Sequence, residues 1–167
     1  MPPEEQIGHL LLQRGWRVAV AETTTGGLIC HRLVSVAGSS KYLDRGIVAY
    51  SRAAKLDLPG LTEDLFSRFG AVSPETATAL AEGVRRLANV EVGLAETGIA
   101  GPVRGRSPKP VGESHIALAL PAGTRVEEHL FRGDRPDIQR QIAQRALEML
   151  VEALENSPES RVQSHRL

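Results

Sequence analysis

A short β-branched run, Arg17 to Ala21, leads straight into Glu22-Thr23-Thr24-Thr25-Gly26-Gly27, and a helical pattern takes over at Leu28 and runs to Val36. A chain that changes from strand periodicity to helix periodicity across a glycine pair builds a strand, a tight turn and a helix in succession. The alternation recurs along the chain. Glu4 to Arg14 reads as a helix with Ile7, Leu10 and Leu11 on one face and Gly15 as its stop. Gly46 to Ser51 reads as a second strand. Thr62 caps a short helix that ends at Gly70, and Ser73 followed by Pro74 opens a longer one toward Ala88. Glu91 to Ala95 reads as a third strand, and Gly98 to Gly112 as a Gly- and Pro-rich loop. Ser114 to Leu120 and Arg125 to Phe131 flank Pro121-Ala122-Gly123 as a hairpin. Ile138, Ile142, Ala146, Leu150, Val151 and Leu154 mark a long amphipathic last helix.

This order predicts an α/β fold, a three-layer α/β/α sandwich on a mixed sheet with an antiparallel edge. Residues 1–154 are expected to form one domain and residues 155–167 a flexible polar tail. In such sheets ligands bind where strands hand over to loops and helices, so the Gly-rich segments after the first and third strands are the places to look.

Composition narrows the function classes. Of 167 residues, 41% are hydrophobic and 24% charged, enough to build a core. Lys+Arg and Asp+Glu both number 20, so the net charge is zero and no excess of basic charge is present to neutralise a nucleic-acid backbone. With three Phe, two Tyr and one Trp there is little to build a base-stacking platform. No apolar run is long enough to cross a bilayer, and the acidic start Met1-Pro2-Pro3-Glu4-Glu5 is not a signal peptide. The single cysteine, Cys30, forms no internal disulfide and fits a reducing cytoplasm. His9, His31, His115, His129 and His165 lack metal-ligand spacing, so no metal is expected. Walker and Rossmann signatures are missing too. A small-molecule enzyme or a ligand-binding module remains.

Four segments can carry chemistry. Thr23-Thr24-Thr25-Gly26-Gly27 brings hydroxyls and backbone amides together at a strand-to-helix turn, which suits an oxyanion; the same residues also cap helices. Tyr50-Ser51-Arg52-Ala53-Ala54-Lys55 holds a lysine that becomes a base if desolvated, and otherwise a solvated strand end. Thr97-Gly98-Ile99-Ala100-Gly101-Pro102, continuing through Arg104 and Arg106 to Lys109-Pro110-Val111-Gly112, suits an anion, or is a mobile charged loop. Arg132-Gly133-Asp134-Arg135 with Arg140 could reach an anion or form a helix-start ion pair.

Taken together and in this order, these segments resemble the C-terminal domain of the competence/damage-inducible protein CinA, a family that includes stand-alone nicotinamide-nucleotide amidohydrolases. The resemblance runs from about Gln6 to Leu154 and adds Gly38-Ser39-Ser40, Gly46-Ile47-Val48, Gly70-Ala71-Val72-Ser73 and Gly133-Asp134-Arg135 to the segments above. It implies hydrolysis of the carboxamide of nicotinamide mononucleotide to nicotinate mononucleotide and ammonia, without metal or cofactor. Thr23 stands where the family has its Ser nucleophile, with Tyr50 and Lys55 completing the catalytic set. Lys55 would take the hydroxyl proton and Tyr50 relay it to the leaving ammonia. Thr25, Gly26, Gly27, Ser39, Thr97, Gly98, Ala100, Gly101, Lys109 and Arg140 are the implied substrate-binding residues. The resemblance also implies a homo-oligomer, with a pyridine nucleotide as the small-molecule partner.

This sequence departs from the family pattern around the expected pocket. Thr24 replaces a Cys, Arg45 a Gly and Arg52 an Asn; Val103-Arg104-Gly105-Arg106 replaces a Gly-rich run. Glu96 stands where a small or apolar residue is usual and Gln139 where Arg is frequent. A threonine nucleophile also carries a methyl that restricts χ1. The alternative reading is therefore a family member that binds a nucleotide or a partner without turnover. With the threonine turn starting at Thr23, no separate CinA-type N-terminal domain is expected ahead of it.

Overall fold

Every residue of strand β1 (Val18–Glu22) is buried, which requires cover on both faces and a neighbour on each side. The sheet supplies this. Its order is β2-β1-β3-β4-β5, with β2 at Leu43–Val48, β3 at Val92–Gly98, β4 at Glu113–Leu120 and β5 at Gly123–Leu130. β1 runs parallel to β2 and β3, while β3–β4 and β4–β5 are antiparallel. The inner strands β3 and β4 are almost wholly buried, and the edge strands β2 and β5 are largely exposed. The computed structural model describes residues 1–158. It matches the expected three-layer α/β/α arrangement on a mixed sheet.

The alternation of valine and alanine in β1 decides how the two helical layers pack. Val18 and Val20, with Leu94, Ile116 and Leu118, face α1 (Pro3–Arg14), α2 (Leu28–Val34) and α6 (Arg135–Asn156). Ala19 and Ala21, with Ala95, Ala117 and Ala119, face α5 (Pro74–Ala88), beside which lie α3 (Arg52–Leu56) and α4 (Glu63–Phe69). Small side chains on this second face let α5 lie close to the sheet. At Gly93 the approach is so close that a Cβ would collide with the Ala81 carbonyl oxygen.

Local signals fix the helix ends. The Thr62 hydroxyl accepts the Leu65 N–H at 3.1 Å, and the Ser73 hydroxyl accepts the Thr76 N–H at 3.1 Å. Gly15 closes α1 in the left-handed conformation at φ 64. Three elements differ from the sequence expectation. β3 runs on to Gly98, because β4 pairs with it as far as Gly98 opposite Ser114. β2 ends at Val48, so Tyr50 and Ser51 lie beyond it, and the Ser51 hydroxyl caps α3 by accepting the Ala54 N–H at 3.1 Å. α6 continues through Asn156, into the segment expected as tail; residues 159–167 of that tail lie outside the described residues.

Candidate functional site

The parallel strands end side by side. Glu22 pairs with Val48, the Ala49 N–H donates to the Glu22 carbonyl at 2.9 Å, and Ala21 pairs with Ala95 on the other flank. The threonine turn, the Tyr50–Lys55 segment and the end of β3 therefore leave the sheet at one edge. The start of α6 closes over them. Gln139 Nε2 donates to the Thr24 carbonyl at 2.9 Å. Arg135 donates from Nη1 to the Gly101 carbonyl at 2.8 Å and from Nη2 to the Tyr50 hydroxyl at 3.1 Å.

Two buried glutamates organise the threonine turn. Gly26 and Gly27 take positive φ of 60 and 105, which folds the chain back so that α2 starts over the turn. Glu22 then caps that start: its Oε1 accepts the Ile29 N–H at 2.8 Å and its Oε2 the Cys30 N–H at 3.0 Å. Glu96, at 0% exposure, reaches across from β3. Its Oε1 accepts the Thr23 N–H at 2.6 Å and the Thr25 N–H at 3.0 Å. The Thr25 hydroxyl lies 2.6 Å from Glu22 Oε1 and 2.9 Å from Glu96 Oε1. Glu96 Oε2 is buried without a partner. Burial pushes the Glu96 carboxyl above the usual range; hydrogen bonds from Thr25 and Thr23 oppose this, and the charge of Glu22 adds to it.

Thr23 is 4% exposed. Its hydroxyl donates to the Glu96 carbonyl at 3.1 Å and lies 3.3 Å from the Thr24 hydroxyl, which itself donates to the Gly98 carbonyl at 3.0 Å. The α5 face of the sheet, which carries Ala19 and Ala21, also carries Ala54 and Leu56 beside Lys55. Lys55 is half-buried and its Nζ donates to the Tyr50 carbonyl at 3.2 Å. Desolvation lowers the Lys55 pKa, with the Glu96 charge opposing and the Arg52 charge adding. The lysine and Tyr50 are thus joined through the main chain. Tyr50 is 63% exposed and its hydroxyl meets Arg135.

The remaining candidates divide. Gly98 and Gly101 line the junction through their carbonyls, and Gly26 and Gly27 lie in the turn before α2. Ala100 is buried in the core beneath α6. Thr97 points to the opposite face from Glu96, where its hydroxyl donates to the Ala71 carbonyl at 2.8 Å. Lys109 donates to the Val72 carbonyl and lies 3.5 Å from a Glu113 oxygen, so it ties the Gly-rich loop to the start of α5. Ser39 sits just before β2, whose first residue Leu43 pairs with Val18; this is the other end of the sheet, roughly 15 Å of strand away from Thr23. Arg140 pairs with Asp137 at 2.5 Å and borders an outer groove of about 570 Å³ with Leu28, Phe131 and Arg145. The arginine at the junction is Arg135, five residues earlier on α6. Glu22, Arg135 and Gln139 join the site through contacts that the local sequence pattern does not carry. Cys30 is partly buried, and burial together with the Glu22 carboxylate holds its thiol well above its ordinary range. Among the described residues, no group of three His, Cys, Asp or Glu side chains is placed to hold a metal, and no helix is long and apolar enough to cross a membrane.

The family model of the CinA C-terminal domain matches residues 2–154. A CinA-like protein of Syntrophobacter fumaroxidans (strain DSM 10017 / MPOB) is 50% identical over 147 residues, which cover 88% of this chain and 35% of that protein. The chain thus spans about a third of the length of the curated relatives it matches. The crystal structure of the competence/damage inducible protein CihA from Agrobacterium tumefaciens superposes with a TM-score of 0.83 at 37% identity, covering 92% of this chain and 95% of that one. The competence or damage-inducible protein from Enterobacter asburiae gives 0.88 at 29% identity, covering 91% and 96%. The chain belongs to the CinA C-terminal domain family.

Proposed function

We propose that the chain is a hydrolase that converts nicotinamide mononucleotide and water to nicotinate mononucleotide and ammonia, with Thr23 as nucleophile. The Thr23 oxygen attacks the carboxamide carbon and Lys55 accepts the hydroxyl proton. That proton passes to the leaving nitrogen, ammonia departs, and water then cleaves the acyl-threonine ester. The reading calls on no metal and no cofactor.

The observation that carries it is the pairing of Glu22 with Val48. It sets Thr23 beside the Ala49–Tyr50 step, whose Tyr50 carbonyl holds Lys55 Nζ at 3.2 Å. Burial lowers the pKa of that lysine, as a general base requires. To attack, the Thr23 hydroxyl turns about χ1 away from the Glu96 carbonyl. Arg135, between Tyr50 and Gly101, supplies a cation for the nucleotide phosphate. The test is ammonia release by purified protein with nicotinamide mononucleotide. Release that Lys55→Ala abolishes supports the reading; no release above that variant ends it.

One observation favours a second reading, binding without turnover: the Thr23 and Thr25 N–H groups already hold the Glu96 carboxyl. Calorimetric binding of the mononucleotide without product formation would identify this case. Self-association and a cytoplasmic location belong to the same proposal. β5 is an edge strand with Val126 and Leu130 exposed, which a second copy could cover. A monomer mass in light scattering would remove that part.

A further inference from the structure

The Glu96 carboxyl imitates the group that the proposed reaction acts on. A carboxamide presents one oxygen that accepts N–H groups and one nitrogen that does not accept. Glu96 presents Oε1, which accepts the N–H groups of Thr23 at 2.6 Å and Thr25 at 3.0 Å, and Oε2, which is buried and meets no partner. The two oxygens thus divide their roles as the oxygen and nitrogen of a carboxamide do.

The hydroxyl of Thr25 helps hold the carboxyl in place, at 2.6 Å from Glu22 Oε1 and 2.9 Å from Glu96 Oε1. A planar carboxyl group has nearly the shape of –CONH₂.

We propose that Glu96 is the specificity-determining residue of this cleft, a tethered competitor that fills the subsite in which the Thr23 and Thr25 N–H groups receive a planar carboxamide or carboxylic acid. The inference rests on the proposed reaction only for naming nicotinamide mononucleotide as the displaced ligand; the subsite itself follows from the contacts. An external amide gains the two N–H groups only when Glu96 withdraws. Removing the side chain exposes them.

The experiment uses acetamide and acetate as probes and follows the backbone amide resonances of Thr23 and Thr25. In Glu96→Ala both compounds shift these two resonances saturably, while the rest of the amide spectrum stays native. In the wild type and in Glu96→Gln, whose own carboxamide still fills the subsite, neither compound does. If Glu96→Ala does not fold, Glu96→Ser carries the same measurement. A folded Ala or Ser variant that ignores both probes overturns the inference, and so does Glu96→Gln responding as Glu96→Ala does. In parallel, Glu96→Ala lowers KM for nicotinamide mononucleotide by about tenfold. Acetamide binding to Glu96→Ala with no ammonia release from any variant leaves the subsite standing and rejects the deamidase reading alone.

Discussion

Thr23 and Glu96 are joined at both ends: the Thr23 N–H donates to Glu96 Oε1 at 2.6 Å, and the Thr23 hydroxyl donates to the Glu96 carbonyl at 3.1 Å. The proposed nucleophile is held on the end of β3, while the proposed base, Lys55, is held by the Tyr50 carbonyl. The proposed reaction requires a rotation of one side chain.

The Thr23 methyl makes that rotation costly, since two heavy atoms on Cβ restrict χ1. Thr23→Ser removes the methyl and keeps the hydroxyl. It is expected to raise kcat for ammonia release by about tenfold or more, because small errors in attack geometry carry large rate penalties. KM should stay nearly constant. The buried methyl is worth roughly 1 kcal/mol of stability, which a urea melt will register as a modest loss.

The proposed reaction has a pH profile: with Lys55 acting as the neutral amine, kcat is expected to rise as pH rises through its pKa. Desolvation lowers that pKa, so the rise falls below the ordinary lysine value of about 10.4. Lys55→Arg cannot lose its proton in this range and abolishes both the rise and the activity. A profile of kcat against pH in both proteins checks the assignment.

Glu96 makes the fold itself sensitive to pH. Its folded-state pKa is raised by burial, so between the ordinary glutamate value of about 4.3 and the raised value the folded chain holds a proton that the unfolded chain has lost. The proton-linked contribution is fully present below that window and is lost as pH climbs through it. Glu96→Gln carries no such dependence. Urea midpoints measured across the window should therefore favour Glu96→Gln increasingly with rising pH, and the gap should stop widening above it.

Arg135 ties three segments together, and its loss should separate binding from chemistry. Arg135→Met breaks the bonds to Gly101 and Tyr50 and removes the cation at the junction. KM for the mononucleotide is expected to rise about tenfold with kcat little changed, and the exposed part of the contact limits the stability loss to about 1 kcal/mol. Arg135→Lys should rescue poorly, because a single ammonium does not reproduce the fork that spans the two oxygens.

Much of the fold can be read locally. Thr62, Ser73 and Gly15 mark helix ends by chemistry that acts within a few residues, and the structure uses all three. The valine–alanine alternation of Arg17 to Ala21 sorts itself onto the two faces of β1. What local pattern cannot give is pairing and reach. β3 extends to Gly98 only because β4 returns along it, and Ser39 lies at the opposite end of the sheet from Thr23 because the β1–β2 register is set by long-range packing. Arg135 and Arg140 are equivalent as residue types, yet five residues of α6, about 1.4 turns, aim the first at Gly101 and leave the second on Asp137. The sequence marks Glu96 only as an unusual residue. Its carboxyl on the Thr23 and Thr25 amides is a contact across more than seventy residues of chain.

The most direct measurement compares ammonia release from nicotinamide mononucleotide by the wild type and by Thr23→Val, which keeps the shape of the side chain and removes its oxygen. The account predicts steady release by the wild type and none by Thr23→Val, with both proteins folded. Equal release by the two proteins, or none by either, would contradict it.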